Sequence, residues 1–177
     1  IIRPDLRIVI MSATIDTATL CRSLDAPLVE SKGRMYDVDV RHIDEADVQN
    51  CARQVASAVM MAHREHKGDI LAFLPGQAEI MRCSEMLGDS LGDTAILPLY
   101  GLLTPRQQRM AIMPSAEGER KVVLATSIAE TSLTIEGVRI VVDSGFCRRM
   151  VFDPRSGLSH LDTVRISMDM ARQRTGR

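Results

Sequence analysis

Short apolar runs recur along the chain at Leu6–Met11, Ile70–Leu74, Ala95–Leu99, Val122–Ala125 and Val138–Val142. Most are continuous rather than alternating, the pattern of parallel strands covered on both faces. Between the first two runs, Val48, Cys51, Ala52, Val55, Ala58, Val59 and Ala62 repeat at three-to-four spacing, which predicts an amphipathic helix from Glu45 to about His66. Asp44 is its expected N-cap, Asp47 adds negative charge to the first turn, and Gly68 closes the end. Further helices are predicted over Gln77–Leu87 and from Pro105, a good first-turn residue, to about Met113. Strand and helix alternate, so the expected fold is α/β: a doubly wound, mainly parallel sheet.

Arg148 to Thr163 breaks that alternation. The stretch RRMVFDPRSGLSHLDT holds two short extended segments around Asp153, Pro154, Arg155, Ser156 and Gly157. Turn residues so placed predict a β-hairpin projecting from the sheet end, with an irregular surface loop as the alternative.

The 177 residues are 45% hydrophobic and 25% charged, which fits one compact core and argues against disorder or a disulfide scaffold. Net charge is −1, but from Cys147 to Arg177 seven arginines face three aspartates, leaving +4, while the preceding residues carry −5. A basic C-terminal section suits a phosphate-bearing partner, and equally a solvated basic face. The four cysteines, Cys21, Cys51, Cys83 and Cys147, lie far apart with no CxxC pair or zinc-type spacing, so a reduced, cytoplasmic chain is expected. No apolar run approaches the roughly 18 to 20 residues that span a bilayer, so no membrane partner is expected. Three Phe, two Tyr and no Trp are too few for a base-stacking platform; a bound single strand would be gripped by its backbone.

Ligands of open α/β sheets sit beyond the carboxyl ends of the strands. There the chain carries Ser12, Ala13 and Thr14; Pro75, Gly76 and Gln77; Thr126 and Ser127; and Asp143, Ser144 and Gly145. In TSIAETSLTIEGV, the hydroxyls of Thr126, Ser127, Thr131, Ser132 and Thr134 stand where a buried strand gives way to a loop, able to bind phosphate oxygens or to cap a helix. The last stretch, ARQRTGR, places Arg174 and Arg177 three apart beside Gln173. Gln and Arg can position water and stabilise charge on a γ-phosphate; a basic helix end favoured by its dipole is the other reading.

MSATID from Met11, FLPGQ from Phe73, PLYGLLTPRQQ from Pro98, TSIAETSLTIEGV from Thr126, VVDSGF from Val141 and QRTGR from Gln173 follow one another in an order that resembles the C-terminal half of a DEAH-box superfamily 2 helicase core, of the bacterial HrpB type. The resemblance runs along nearly the whole chain. It implies that residues 1–34 are the C-terminal remnant of a first RecA-like domain and residues 35–177 a second RecA-like domain with the projecting hairpin. It also implies an ATP-dependent RNA helicase whose ATP and Mg²⁺ lie between the two domains, the magnesium ligands in the first. Expected partners are single-stranded RNA, with DNA as an alternative strand, and the first RecA-like domain.

Residue by residue, Ser12, Ala13 and Thr14 resemble the motif that couples nucleotide state to strand movement. Thr126 and Ser127 resemble backbone-holding residues, and Ser132, Thr134 and Glu136 the nucleotide-facing part of the same motif. Gln173 resembles the water-positioning glutamine and Arg177 the first arginine finger, with Arg174 between them in the catalytic set. Leu74, Pro75 and Gly76 resemble a strand-gripping loop and the hairpin a strand-separating wedge, with Arg148 and Arg149 at its root counted among the nucleic-acid-binding residues.

Three positions depart from the pattern. Ser127 stands where the family carries Asn, exchanging a two-pronged amide contact for one hydroxyl. Ala111 stands where eukaryotic relatives carry an adenine-stacking Phe, and the second finger would fall three residues past Arg177. Asp44, Glu45, Ala46 and Asp47 spell DEAD but open the long amphipathic helix and follow Ser12–Thr14, so capping explains them. No GxxxxGK[ST] loop occurs, so the chain alone is expected to be inactive; a non-catalytic RecA-like binding module is the alternative function.

Overall fold

The computed structural model describes residues 3, 6, 7, 9, 10, 17–25, 27–29, 37–43, 45–130 and 135–176. The chain divides into two units, Ile1–Asp37 and Val38–Arg177. In the first, α1 (Thr17–Leu24) is the described helix. Leu6, Arg7, Val9 and Ile10 form no strand and the three apolar side chains among them are exposed, unlike the strand expected over Leu6–Met11. A strand exists only as a paired element, and apolar content alone supplies no neighbour for its backbone.

In the second unit, β1 (Asp69–Phe73), β2 (Ala95–Leu99), β3 (Lys121–Ala125) and β4 (Val138–Asp143) form one parallel sheet in the order β2-β3-β1-β4. α2 (Cys51–Glu65) precedes β1, α3 (Gln77–Leu87) joins β1 to β2, and α4 (Pro105–Ile112) joins β2 to β3. Every residue of the central strands β1 and β3 is buried, which is why their sequences run unbroken. Successive side chains serve opposite cores. Ile70, Ala72 and Leu74 join Val122 and Leu124 under α2 and α3. Leu71 and Phe73 join Val123, Ala125 and Ala111 of α4 on the other face. Each large apolar side chain buried this way contributes roughly 1.5–3 kcal/mol.

α3 and α4 fall where the sequence puts them. Thr104 and Gln107 form a reciprocal capping box ahead of Pro105. α2 begins at Cys51 rather than Glu45. The Asp47 carboxylate accepts from Gln49 N (2.9 Å) and Asn50 Nδ2 (2.6 Å), closing a turn, and Gln54 Nε2 reaches back to Glu45 O (2.9 Å). The acid caps a turn instead of sitting in a helix; the expected cap, Asp44, lies outside the described residues. α2 ends at Glu65, with His66 in extended backbone as its C-cap and His66 N donating to Ala62 O; Gly68, expected to close the helix, lies three residues past its end at φ +102°, just before β1.

The predicted hairpin is present, longer than its sequence signal. β5 (Phe146–Asp153) pairs antiparallel with β6 (Leu158–Arg165), from Phe146 opposite Arg165 to Asp153 opposite Leu158. Hydrogen bonds from Arg155 N and Ser156 Oγ hold the Asp153 carboxyl below its ordinary range and fix the turn. Gly157 completes it at φ +69°. A last helix, α5 (Met168–Thr175), is capped by the Ser167 hydroxyl, which accepts from Met170 N.

Candidate functional site

Parallel strands bring all four carboxyl ends to one edge, and the ladder continues one residue beyond three of them. Leu74 N donates to Ala125 O (2.8 Å), Thr126 N to Leu99 O (3.1 Å) and Ser144 N to Phe73 O (3.1 Å). Leu74, Thr126 and Ser144 therefore stand level in adjacent strands. The chain leaving β1 enters α3 on one face of the sheet, while that leaving β3 places Ala129 in the core of the other face. Connections that diverge between neighbouring strands open a crevice at the switch point. Leu74, Pro75 and Gly76 lie on one side of it, Thr126 and Ser127 on the other.

Leu74, Pro75 and Gly76 are buried, Thr126 is half-buried, and Ser127 is exposed at the start of a 3-10 turn, Ser127–Ala129. Glu136 is exposed just before β4. Arg148 and Arg149 are both exposed but adjacent in β5, so they project to opposite faces and form no single basic patch; Arg149 stands opposite Asp162. Ser12, Ala13, Thr14, Ser132, Thr134 and Arg177 lie outside the described residues.

α5 is tied to the strand ends by one side chain. Arg174, 1% exposed, donates from Nε to Glu130 Oε1 (2.6 Å) and from Nη1 to Asp143 Oδ1 (2.7 Å), and Nη2 lies 2.5 Å from the same Glu130 oxygen. Its Cζ sits 4.6 Å from the centroid of the Phe73 ring. A planar guanidinium can serve two carboxylates and an aromatic face at once, which an ammonium cannot. Phe73 ends β1, Glu130 follows the turn after β3, and Asp143 ends β4, so Arg174 draws three strand exits to one helix. Gln173, its neighbour on α5, is half-buried.

Glu130, Asp143 and Phe73 were not singled out by the sequence as partners of Arg174. The available signal was an acid just past each of two buried apolar runs, VVLA and IVV. Ala111 is wholly buried in the core beneath β2 and β3, so that position presents no surface here. The DEAD residues Glu45–Asp47 border an open groove of about 470 Å³ with Phe146 and Arg165, at the hairpin root. Arg165 Nη2 donates to Ala46 O there (3.3 Å), and two acids line the groove beside it.

Residues 49–177 match the helicase conserved C-terminal domain, and the chain belongs to that family. Over 178 residues it is 47% identical to the ATP-dependent RNA helicase HrpB of Escherichia coli strain K12, covering 99% of this chain and 22% of that protein. It is also 39% identical over 183 residues to the pre-mRNA-splicing factor ATP-dependent RNA helicase prp22 of Schizosaccharomyces pombe, covering 99% of this chain and 16% of that protein. The crystal structure of the E. coli DEAH/RHA helicase HrpB superposes with a TM-score of 0.89 at 47% identity, over 98% of this chain and 22% of that one. A second, of the E. coli DExH-box NTPase HrpB, superposes at 0.83 and 45% identity with the same coverage. The chain thus spans about a fifth of these relatives.

Proposed function

We propose that the chain is the C-terminal RecA-like half of an ATP-dependent RNA helicase of the DEAH-box type, acting in the cytoplasm. Residues 35–177 are its second RecA-like domain, and residues 1–34, with Ser12, Ala13 and Thr14, close the first. The supporting observation is the Arg174 tie. By fastening α5 to the exits of β1, β3 and β4, it sets Gln173 at the sheet edge that also carries Thr126 and Ser127. One edge can then serve a polynucleotide and a triphosphate.

In this reading Thr126 and Ser127 hold the strand's backbone by donating from their hydroxyls, and Ser132, Thr134 and Glu136 face the nucleotide. Gln173 orients the attacking water, and Arg177 carries positive charge to the γ-phosphate as charge builds there. Arg174 is held by two carboxylates and acts by positioning Gln173 and Arg177. By the family resemblance, the ATP-associated magnesium would be held by residues of the first domain. RNA is favoured over DNA as the strand because both relatives are named RNA helicases.

The test is single-stranded RNA binding by the full-length protein across a salt series, with and without a non-hydrolysable ATP analogue. A motor should show nucleotide-dependent affinity and a salt slope set by its phosphate contacts. Affinity indifferent to the analogue would favour a plain binding module.

A further inference from the structure

The loop read as strand-gripping is covered by a side chain from the hairpin. A Cβ on Gly76 would lie 2.7 Å from both Cζ and Nε of Arg148 and 3.0 Å from its Nη1, so the guanidinium rests directly on that residue. Gly76 has extended backbone, φ −162°, which any residue adopts, so glycine is required here only by this approach. Arg148 Nη2 also lies 3.4 Å from Glu79 Oε2 in the first turn of α3, the two side chains 38% and 16% exposed. One arginine, on the third residue of β5, thus joins the hairpin root to the loop after β1 and to the helix that follows.

We infer that Arg148 is a positioning residue that latches the hairpin onto the Leu74–Gly76 loop through Gly76 and Glu79, so that the two move as one body. The inference rests on the reading of loop and hairpin proposed above. Arg148 is not a free cation seeking phosphate; its charge is shared with Glu79 and its flat face is spent on Gly76. A strand displaced at the loop therefore carries the hairpin with it. Arg149, one residue on, faces the other side of the hairpin and has no part in the latch.

Three variants of the full-length protein test this: Gly76→Ala, which evicts the guanidinium at little cost because only the end of a flexible side chain must shift; Glu79→Gln; and Arg148→Ala. Each should slow duplex unwinding about two- to fivefold, the range a partly exposed ion pair supports. Gly76→Ala combined with Arg148→Ala should be no slower than the slower single variant, because both remove one contact. The salt slope of single-stranded RNA binding should be unchanged in Arg148→Ala. A slope reduced by about 0.7, as for one lost phosphate contact on a single strand, with Gly76→Ala unwinding at the wild-type rate, would overturn the latch. Hydrogen exchange provides a readout independent of activity: amides of residues 76–80 and 146–150 should exchange faster together in Glu79→Gln. Unchanged exchange there overturns the latch, whereas a wild-type protein that unwinds nothing sinks the helicase reading and leaves the exchange result to decide the latch.

Discussion

Arg174 and Arg177, three residues apart in QRTGR, are assigned opposite duties. Arg174 is buried against Glu130 and Asp143, and removing it strands the buried Glu130 carboxylate, while Asp143 keeps access to water. Arg174→Ala is expected to destabilise the protein by about 3–5 kcal/mol, the cost of leaving buried charge uncompensated. Arg174→Lys should recover only part of that, since an ammonium lacks the fork to reach both acids. Urea unfolding midpoints measure both; a lysine variant as stable as wild type would contradict the two-carboxylate geometry. Arg177→Ala should instead leave stability intact and lower RNA-stimulated ATP turnover of the full-length protein by about 10³- to 10⁵-fold. Steady-state phosphate release checks it.

At the scale of elements, helix ends decide where the residues of the proposed site stand. α5 is eight residues long, too short to persist without its cap and its tertiary anchor. Ser167→Ala removes the hydroxyl that accepts from Met170 N and should cost about 1 kcal/mol, read as a lower unfolding midpoint. α2 is joined to the β2 edge by His63, whose ring nitrogen lies 2.8 Å from Thr94 Oγ1. Burial, and then the positive Arg120, hold the His63 pKa below its ordinary 6.5. The unfolded chain therefore binds the proton more readily. Stability should be intact above about pH 6.5 and fall as pH drops below it. Unfolding at pH 7.5 and 5.5 should show this loss in the wild type and a smaller one in His63→Gln; equal losses would exclude His63 as the source.

For the whole molecule, polar networks gather at both edges of the sheet, and the proposed function draws on only one of them. At the amino edge, Asp69 accepts from Lys121 N and Ser115 Oγ, while Lys121 Nζ donates to the carbonyls of Ala111 and Met113, tying the end of α4. At the carboxyl edge, hydroxyls and the α5 residues gather around strand exits. With no phosphate-cradling GxxxxGK[ST] loop in the sequence, residues 1–177 alone should release no phosphate from ATP. Turnover by these residues matching the full-length protein would mean that a complete nucleotide site exists within them.

By itself the sequence determined what depends on neighbours in the chain. β2 and the start and end of α3 fall where apolar period and flanking Gly and Pro put them, because side-chain period and turn chemistry are local. The hairpin's centre was equally readable, from Asp153 to Gly157. The start of α2 at Cys51 is local as well, set by the turn that Gln49 N and Asn50 Nδ2 close on the Asp47 carboxylate. The tertiary structure decided only the longer-range contacts: that Arg174 turns inward to Glu130, 44 residues away, and that Arg148 lies on Gly76, on another element. Ion pairs and close approaches between distant segments leave no periodic trace: a charged residue reads the same in solvent or core until the strands that flank it are placed.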